Sequence, residues 1–77
     1  MKIEILGPGC PKCTKLYENV QEALRATGED AEIIKVTDIK KITEYGVMLT
    51  PSLVVDGKVK TVGKVLSSEE IKTIISG

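Results

Sequence analysis

The stretch MKIEILGPGCPKC, residues 1–13, joins a strand to a helix and places two cysteines at the junction. Residues 1–6 are predicted to form a strand, which the turn-forming run Gly7-Pro8-Gly9 ends. Pro11 lies where a helix accepts proline, in its first turn, because the missing N–H would have no partner there. The stretch therefore predicts that both cysteines lie between the first strand and the first helix.

Alternating strands and helices are predicted for the rest of the chain. Apolar residues recur at spacings of three and four after the cysteines, which indicates an amphipathic helix that ends at Gly28. The elements predicted to follow are a strand over residues 31–36, a short helix carrying Ile39 and Ile42 and closed by Gly46, strands at 53–55 and Lys58–Val62, and a last helix that Ser67 and Glu70 open as a capping box.

The order of these elements predicts one α/β domain over residues 1–77. Asp56-Gly57 between the two adjacent strands is a strong hairpin signal, so that pair is expected to be antiparallel. The opening strand-helix-strand unit implies a parallel pair with a right-handed crossover. We therefore expect a four-stranded mixed sheet with three helices, in the order βαβαββα.

The composition excludes several classes of function. Eleven basic and eleven acidic side chains give a formal net charge of zero, which leaves no electrostatic footprint for nucleic acid. The chain has no histidine, which removes the usual general base, the Cys–His and Ser–His pairs and every histidine-containing metal site. No stretch approaches the roughly 20 apolar residues of a membrane span, and no signal peptide is visible. We expect a cytoplasmic monomer with no bound cofactor and no nucleic-acid or membrane partner.

Cys10-Pro11-Lys12-Cys13 is the candidate catalytic motif, because a helix N-terminus stabilises an anion. Its free N–H groups and roughly half a positive charge favour a thiolate, the form of cysteine that attacks disulfides. Lowering a thiol pKa from about 8.5 to about 7 raises its ionised fraction at neutral pH from ~3% to ~50%. Lys12 adds a favourable charge, worth less than about 1 kcal/mol at an exposed position.

The two cysteines differ in position and are predicted to differ in role. Cys10 precedes the helix and can project outward, so we expect it to be the attacking nucleophile. Cys13 lies in the first turn, is expected to be more buried, and would resolve the mixed disulfide by attacking Cys10. Pro11 stiffens the turn between them and removes one backbone donor.

Two other interpretations of the cysteine pair stay open on the residues alone. A disulfide that only staples the fold would stabilise little here, because the chain-entropy relation gives about 2 kcal/mol for a four-residue loop against about 3 kcal/mol for fifteen residues. Two thiolates at this spacing can also bind a soft ion such as Cu(I). Copper carriers with such a pair usually have methionine two residues before the first cysteine, where this chain has Pro8. A tetrahedral zinc site would need ligands from a second chain.

A second motif agrees with the first and carries a family resemblance. The segment YGVMLTPSLVVDGK, residues 45–58, looks like the thioredoxin pattern of Tyr-Gly-Ile, then Pro-Thr-Leu, a strand and a glycine turn. With Gly-Pro-Gly-Cys-Pro-Lys-Cys at residues 7–13, the chain resembles the small archaeal and bacterial redox-active disulfide proteins of the thioredoxin superfamily. The resemblance covers nearly the whole chain and implies a minimal thioredoxin-like fold that acts as a dithiol–disulfide oxidoreductase.

The resemblance also implies roles for residues outside the cysteine motif. Pro51 is expected to be cis and to lie beside the disulfide, and the Thr50 backbone is expected to pair with an extended substrate segment as an added strand. Cys10 would attack a disulfide in a partner protein, and an upstream reductase would restore the dithiol. An adaptor that binds partners at this surface without thiol chemistry is the non-enzymatic alternative.

One departure from the family pattern bears on glutathione, and one agreement with it bears on proton transfer. Cys-Pro-x-Cys is close to glutaredoxin, yet Val62-Gly63-Lys64 keeps only one of the two glycines with which glutaredoxins grip glutathione, so glutathione dependence is the less favoured alternative. Glu4 lies six residues before Cys10, which is the spacing of a buried acid in thioredoxin. It either shuttles a proton to Cys13 or, as we expect, is an exposed strand residue.

Overall fold

The strands and helices follow one another in the predicted order in a computed structural model, which describes residues 1–76. The elements are β1 (Lys2–Leu6), α1 (Pro11–Thr27), β2 (Glu32–Val36), α2 (Ile39–Glu44), β3 (Ser52–Val55), β4 (Lys58–Val62) and α3 (Ser68–Ser76). Gly77, which the predicted domain includes, lies outside the described residues. Within the described part of the chain, no helix is long and apolar enough to cross a membrane. The predicted α/β class and the order βαβαββα are confirmed.

β1 is an inner strand of the sheet, whose strand order is β2-β1-β3-β4. β1 and β2 are parallel, with Ile3 opposite Ile33, whereas β3 is antiparallel to β1 and β4 is antiparallel to β3. The predicted mixed sheet is therefore confirmed. Because parallel strands end at the same edge, β1 and β2 end where antiparallel β3 begins. We call this the carboxyl edge, and it positions the candidate site.

The side chains of β1 alternate between two faces of the sheet, and each face has its own core. Ile3 and Ile5 face α1 and α3, where buried apolar residues from both helices and from β3 pack on them, among them Leu16, Val20, Leu53, Ile71 and Ile75. Leu6 faces the other way and packs with Ile42, Val47 and Val54 under α2. Burial of each such side chain is worth about 1.5–3 kcal/mol, so the alternation in β1 decides which helix covers which face.

Two local motifs of the sequence, the capping box and the hairpin turn, have the expected hydrogen bonds and backbone dihedrals in the structure. The Glu70 N–H donates to Ser67 Oγ at 3.2 Å, and the Ser67 N–H donates to Glu70 Oε1 at 3.1 Å, which is the predicted capping box of α3. The hydrogen bond from the Ser67 backbone is the main cause that lowers the pKa of Glu70. Asp56 and Gly57 have φ of 50° and 81°, the positive values that both central positions of a two-residue hairpin turn of type I′ require.

Candidate active site

The two cysteines form a disulfide at the amino end of α1, directly after the turn that follows β1. Cys10 is the N-cap residue of the helix, with an extended backbone (φ −70°, ψ 163°), and is partly exposed. Cys13 lies in the first turn and is 6% exposed. Pro11 occupies the start of the helix, where it needs no hydrogen-bond partner. The predicted difference in exposure between the two cysteines is therefore present.

The amino end of α1 points a backbone donor at the outer sulfur. The Cys13 N–H donates to Cys10 Sγ across 3.2 Å. The first turn of α1 contains no acidic residue, so no carboxylate on that turn opposes a negative charge. When the disulfide is reduced, this donor and the helix dipole favour the thiolate of Cys10 over its thiol. The arrangement can therefore hold a nucleophilic sulfur.

Gly7, which the sequence indicates only as a turn residue, makes room for the inner sulfur. It is buried just after β1, and its N–H donates to the Val36 carbonyl at 2.9 Å. A Cβ built on Gly7 would overlap Cys13 Sγ and would lie 3.8 Å from Thr50 Cβ. Glycine is therefore required here by contact rather than by backbone conformation. The signal in the sequence is a glycine between a buried strand and a Cys-x-x-Cys motif.

The Thr50–Pro51 loop lies against the same glycine and therefore beside the disulfide. Its peptide bond is cis, as the family resemblance implies. Pro51 is buried, and its carbonyl accepts a hydrogen bond from the Lys64 N–H at 3.2 Å. Thr50 is partly exposed. The structure thus brings Thr50 and Pro51 to the cysteine pair from a distant part of the chain.

Gly63 supports this loop from the end of β4. Its φ is +66°, and a Cβ built on it would come within 2.8 Å of Leu49 Cβ. Leu49 directly precedes Thr50, so the close approach of Gly63 holds the segment that leads into the cis peptide bond. The single glycine of Val62-Gly63-Lys64 therefore has a packing function.

Large apolar side chains are exposed around the Thr50–Pro51 loop. Met48 is 92% exposed, Leu49 62% and Ile39 61%. Met48 and Ile39 line a groove of about 310 Å³ that also includes Pro8 and Thr50. Exposed apolar patches mark interaction sites, so this surface suits the binding of another polypeptide next to the disulfide.

Lysines lie near both sulfurs. Lys12, in the first turn of α1, is exposed, as predicted. Lys35 lines a cavity of about 30 Å³ together with Cys13, and its ammonium lies 4.2 Å from the centre of the Tyr17 ring. Lys35 was not among the site residues predicted from the sequence. The signal for it is a lysine next to the end of β2, the strand parallel to the one that leads to the cysteines.

Glu4 is buried, so the prediction that it is an exposed strand residue is wrong. It is 8% exposed, and its Oε2 accepts a hydrogen bond from the Tyr45 hydroxyl at 2.6 Å. The alternation of β1 puts Glu4 on the face of Leu6 and α2, opposite the face that α1 and Cys13 cover. The position of Glu4 therefore gives no support to the alternative of proton transfer to Cys13.

Tyr45→Phe is expected to lower the free energy of unfolding by about 1–2 kcal/mol, because it leaves the buried carboxylate of Glu4 without its donor. The hydrogen bond to Glu4 is the main cause that raises the pKa of Tyr45 above 10.0, followed by burial and the Glu4 charge. Folding thus favours the neutral hydroxyl. The stability difference between the two proteins should stay constant from neutral pH to pH 10.0 and shrink as pH rises through the raised pKa of Tyr45. Urea unfolding over a pH series measures it.

The same variant tests the position of Glu4 relative to the cysteines. If Glu4 acts only on the α2 face, the pH profile of disulfide reduction is the same in Tyr45→Phe and in the unmutated protein. A displaced profile would contradict the separation of Glu4 from Cys13. Unchanged stability would contradict the Glu4–Tyr45 hydrogen bond.

No metal-binding group adds to the cysteine pair within the part of the chain that the structure describes. Residues 1–76 contain no cluster of three or more histidine, cysteine, aspartate or glutamate side chains that could hold a metal ion. A tetrahedral zinc site at the cysteines would therefore need ligands from outside these residues.

Comparison with known proteins agrees with this geometry. A family model described as a thioredoxin domain matches residues 1–76. The chain is 46% identical over 76 residues to a thioredoxin of Methanothermobacter thermautotrophicus, with 99% of each chain covered. It is 50% identical over 70 residues to a thioredoxin of Methanocaldococcus jannaschii, with 91% of this chain and 80% of the relative covered. The chain therefore belongs to the thioredoxin family and is a thiol–disulfide oxidoreductase that reduces protein disulfides by dithiol–disulfide exchange through its Cys10–Cys13 pair.

Proposed function

We propose that Cys10 is the attacking thiolate and Cys13 the resolving thiol when this protein reduces the disulfide of a partner protein. The observation that carries this assignment is the 3.2 Å hydrogen bond from the Cys13 N–H to Cys10 Sγ, at the amino end of a 17-residue helix. Exposure supports it, because Cys10 is partly exposed and Cys13 is 6% exposed. A bulky disulfide reaches the outer sulfur first.

The reaction proceeds in two exchange steps. The Cys10 thiolate attacks one sulfur of the partner disulfide, which forms a mixed disulfide and releases one partner thiolate. The Cys13 thiolate then attacks Cys10 Sγ, which forms the Cys10–Cys13 disulfide and releases the second partner thiolate. Two electrons pass to the partner, and the two protons lost by the cysteine thiols end on the two partner thiols. An upstream reductase restores the dithiol.

The substrate segment binds beside the disulfide along the Thr50–Pro51 loop. The Thr50 backbone pairs with it as an added strand, and the exposed Met48 and Leu49 contact its apolar side chains. Pro11 and Lys12 support the attacking sulfur, Pro11 by stiffening the first turn of α1 and Lys12 by its positive charge.

Selective alkylation tests the two cysteine roles. The reduced protein is treated with iodoacetamide at about pH 6.5, and the modified cysteine is identified by mass spectrometry. We expect modification of Cys10 first, because its thiolate is favoured and exposed, and of Cys13 only in the unfolded protein. Equal modification of both cysteines, or of Cys13 first, would contradict the assignment.

The proposal also covers the cellular location, the oligomeric state and the partners of the protein. We place the protein in the cytoplasm as a monomer, with disulfide-containing proteins as substrates and a thiol or disulfide reductase as electron donor. Support for this placement comes from the Cys10–Cys13 pair, because thiols in the cytosol are kept reduced and the disulfides that form there are usually transient and catalytic.

A further inference from the structure

Exposed lysines lie at the carboxyl edge, where the disulfide also lies, and we infer from them that this protein prefers disulfides flanked by acidic residues. The inference rests on the proposed function, because it names the class of substrate that the Cys10–Cys13 pair reduces. The members of this lysine collar are Lys12, Lys15, Lys35, Lys40 and Lys64, and all of them are exposed.

Three collar residues lie on α1 and at the end of β2, the elements next to the cysteine pair. Lys12 and Lys15 belong to the first two turns of α1, the helix that starts at the disulfide. Lys35 is the next-to-last residue of β2 and lies opposite Ile5 of β1, so it is at the carboxyl edge. It lines the same small cavity as Cys13.

The other two collar residues belong to segments held at the same edge. Lys40 is the second residue of α2, and its N–H donates to Asp38 Oδ1 at 3.0 Å, which fixes the start of that helix just after β2. The Lys64 N–H donates to the Pro51 carbonyl at 3.2 Å. The Lys64 backbone is thereby held beside the loop that the substrate contacts.

Negative charge is sparse at the carboxyl edge. The segments that form this edge are residues 7–16, 35–40, 48–51 and 62–64, and Asp38 is the single acidic residue among them. The Asp38 side chain caps α2. The zero net charge of the chain therefore conceals a positive edge around the disulfide. Acidic residues concentrate at the opposite edge, where β2 begins and the β3–β4 hairpin turns: Glu29, Asp30, Glu32 and Asp56.

Little within the described chain neutralises the collar. The ion pairs among residues 1–76 are Lys64–Glu70 at 3.8 Å and Lys72–Glu69 at 3.0 Å, so Lys64 is the one collar residue with a partner there. That pair is exposed on both sides and is worth little. The collar charges can therefore act on a docking molecule, and long-range attraction of this kind raises the rate of encounter with acidic partners.

A comparison between substrates separates recognition from thiolate activation. If the lysines acted only on the Cys10 thiolate, they would accelerate the reduction of all disulfides alike. If they recognise acidic segments, the rate depends on the charge of the substrate. The ratio of two substrates measured with one protein cancels any change in the reactivity of Cys10.

Three synthetic peptides with one common disulfide loop carry this test. They have two glutamates, two glutamines or two lysines beside the disulfide, and each rate is divided by the rate with dithiothreitol, because flanking charges change the reactivity of the peptide itself. We expect kcat/KM to be about tenfold higher for the glutamate peptide than for the glutamine peptide at low ionic strength, since each charge pair about 6 Å apart in water is worth about threefold. The ratio should approach one at about 1 M salt, where the Debye length is about 3 Å.

Matched variants show whether the collar causes the preference. Lys15→Gln combined with Lys40→Gln is expected to lower the glutamate-to-glutamine ratio at least about threefold. Lys58→Gln combined with Lys72→Gln removes the same charge away from the carboxyl edge and should leave the ratio unchanged. Equal normalised rates for the three peptides, or a ratio that the collar variant does not lower, would overturn the inference and leave the proposed function intact. Failure to reduce any of the peptides would overturn the proposed function and the inference with it.

Discussion

Cys10→Ser is expected to abolish the reduction of protein disulfides, whereas Cys13→Ser is expected to attack once and then stop as a mixed disulfide. Serine at position 10 removes the sulfur that the Cys13 N–H contacts at 3.2 Å, and a hydroxyl cannot form the mixed disulfide. Serine at position 13 leaves that attack possible and removes the resolving step. Insulin reduction measures the first loss, and mass spectrometry of a non-reducing preparation detects the trapped complex.

Both serine variants are compared with the reduced form of the unmutated protein. Neither variant can form the disulfide, whose four-residue loop contributes about 2 kcal/mol to the oxidised protein in the chain-entropy relation. The unfolding free energies of both variants should agree closely with that of the reduced unmutated protein. A loss of activity then reflects the missing thiol and not a less stable fold. Disulfide reduction by Cys10→Ser at the normal rate would refute the assignment. Trapping by Cys10→Ser rather than by Cys13→Ser would reverse the two roles.

Gly7→Ala is expected to slow the release of the mixed disulfide by about ten- to a hundredfold, because the new methyl group occupies the place of the inner sulfur. A Cβ at Gly7 would overlap Cys13 Sγ and lie 3.2 Å from Cys13 Cβ. The backbone cannot easily yield, since the Gly7 N–H is bonded to the Val36 carbonyl at 2.9 Å. Overpacking of this kind costs about 1–3 kcal/mol, so we also expect lower stability. Rapid-quench mass spectrometry follows the mixed disulfide.

Gly28→Ala is the control that separates lost stability from a displaced sulfur. Gly28 ends α1 with φ of +71°, and a Cβ there meets nothing within 4 Å. Alanine at this left-handed position should cost about 1–2 kcal/mol through the backbone alone, without touching the site. We therefore expect Gly28→Ala to lose stability and keep the normal rate of resolution. A normal rate in Gly7→Ala as well would show that Cys13 is not held where Gly7 makes room for it.

The parts of the fold that were predicted correctly depend on residues close together in the chain. The capping box joins Ser67 to Glu70, the hairpin turn needs only Asp56 and Gly57, and Pro11 acts within the first turn of its own helix. Such features form from local hydrogen bonds and dihedral preferences, so a short pattern suffices to recognise them. The parallel pairing of β1 with β2 also followed from the pattern, because a helix between two strands returns the chain to the edge of the sheet where the first strand began.

The parts of the site that were missed or predicted wrongly depend on contacts between distant segments. Glu4 was expected at the surface because nothing near it in the sequence shows that Tyr45 donates to its carboxylate. Gly7 was assigned to a turn, since its contact with the inner sulfur depends on how α1 packs on the sheet. The place of Pro51 beside the cysteines was expected only from the family pattern, because the spacing along the chain does not show the contact. The cis bond was expected from the same pattern, since only about 5–6% of X–Pro bonds in folded proteins are cis.

The sequence pattern alone predicted the order of the elements, the end of α1 at Gly28, the capping box of α3, and one cysteine pair at a helix N-terminus as the source of redox chemistry. Tertiary packing was needed to show that Glu4 faces α2, that Gly7 must lack a side chain, and that lysines from four segments lie at the carboxyl edge in a chain of zero net charge. The physical reason is that the face of a strand residue depends on register, since a shift by one position turns every side chain to the other side. The clearance at a glycine and the local charge depend in the same way on which segments pack together.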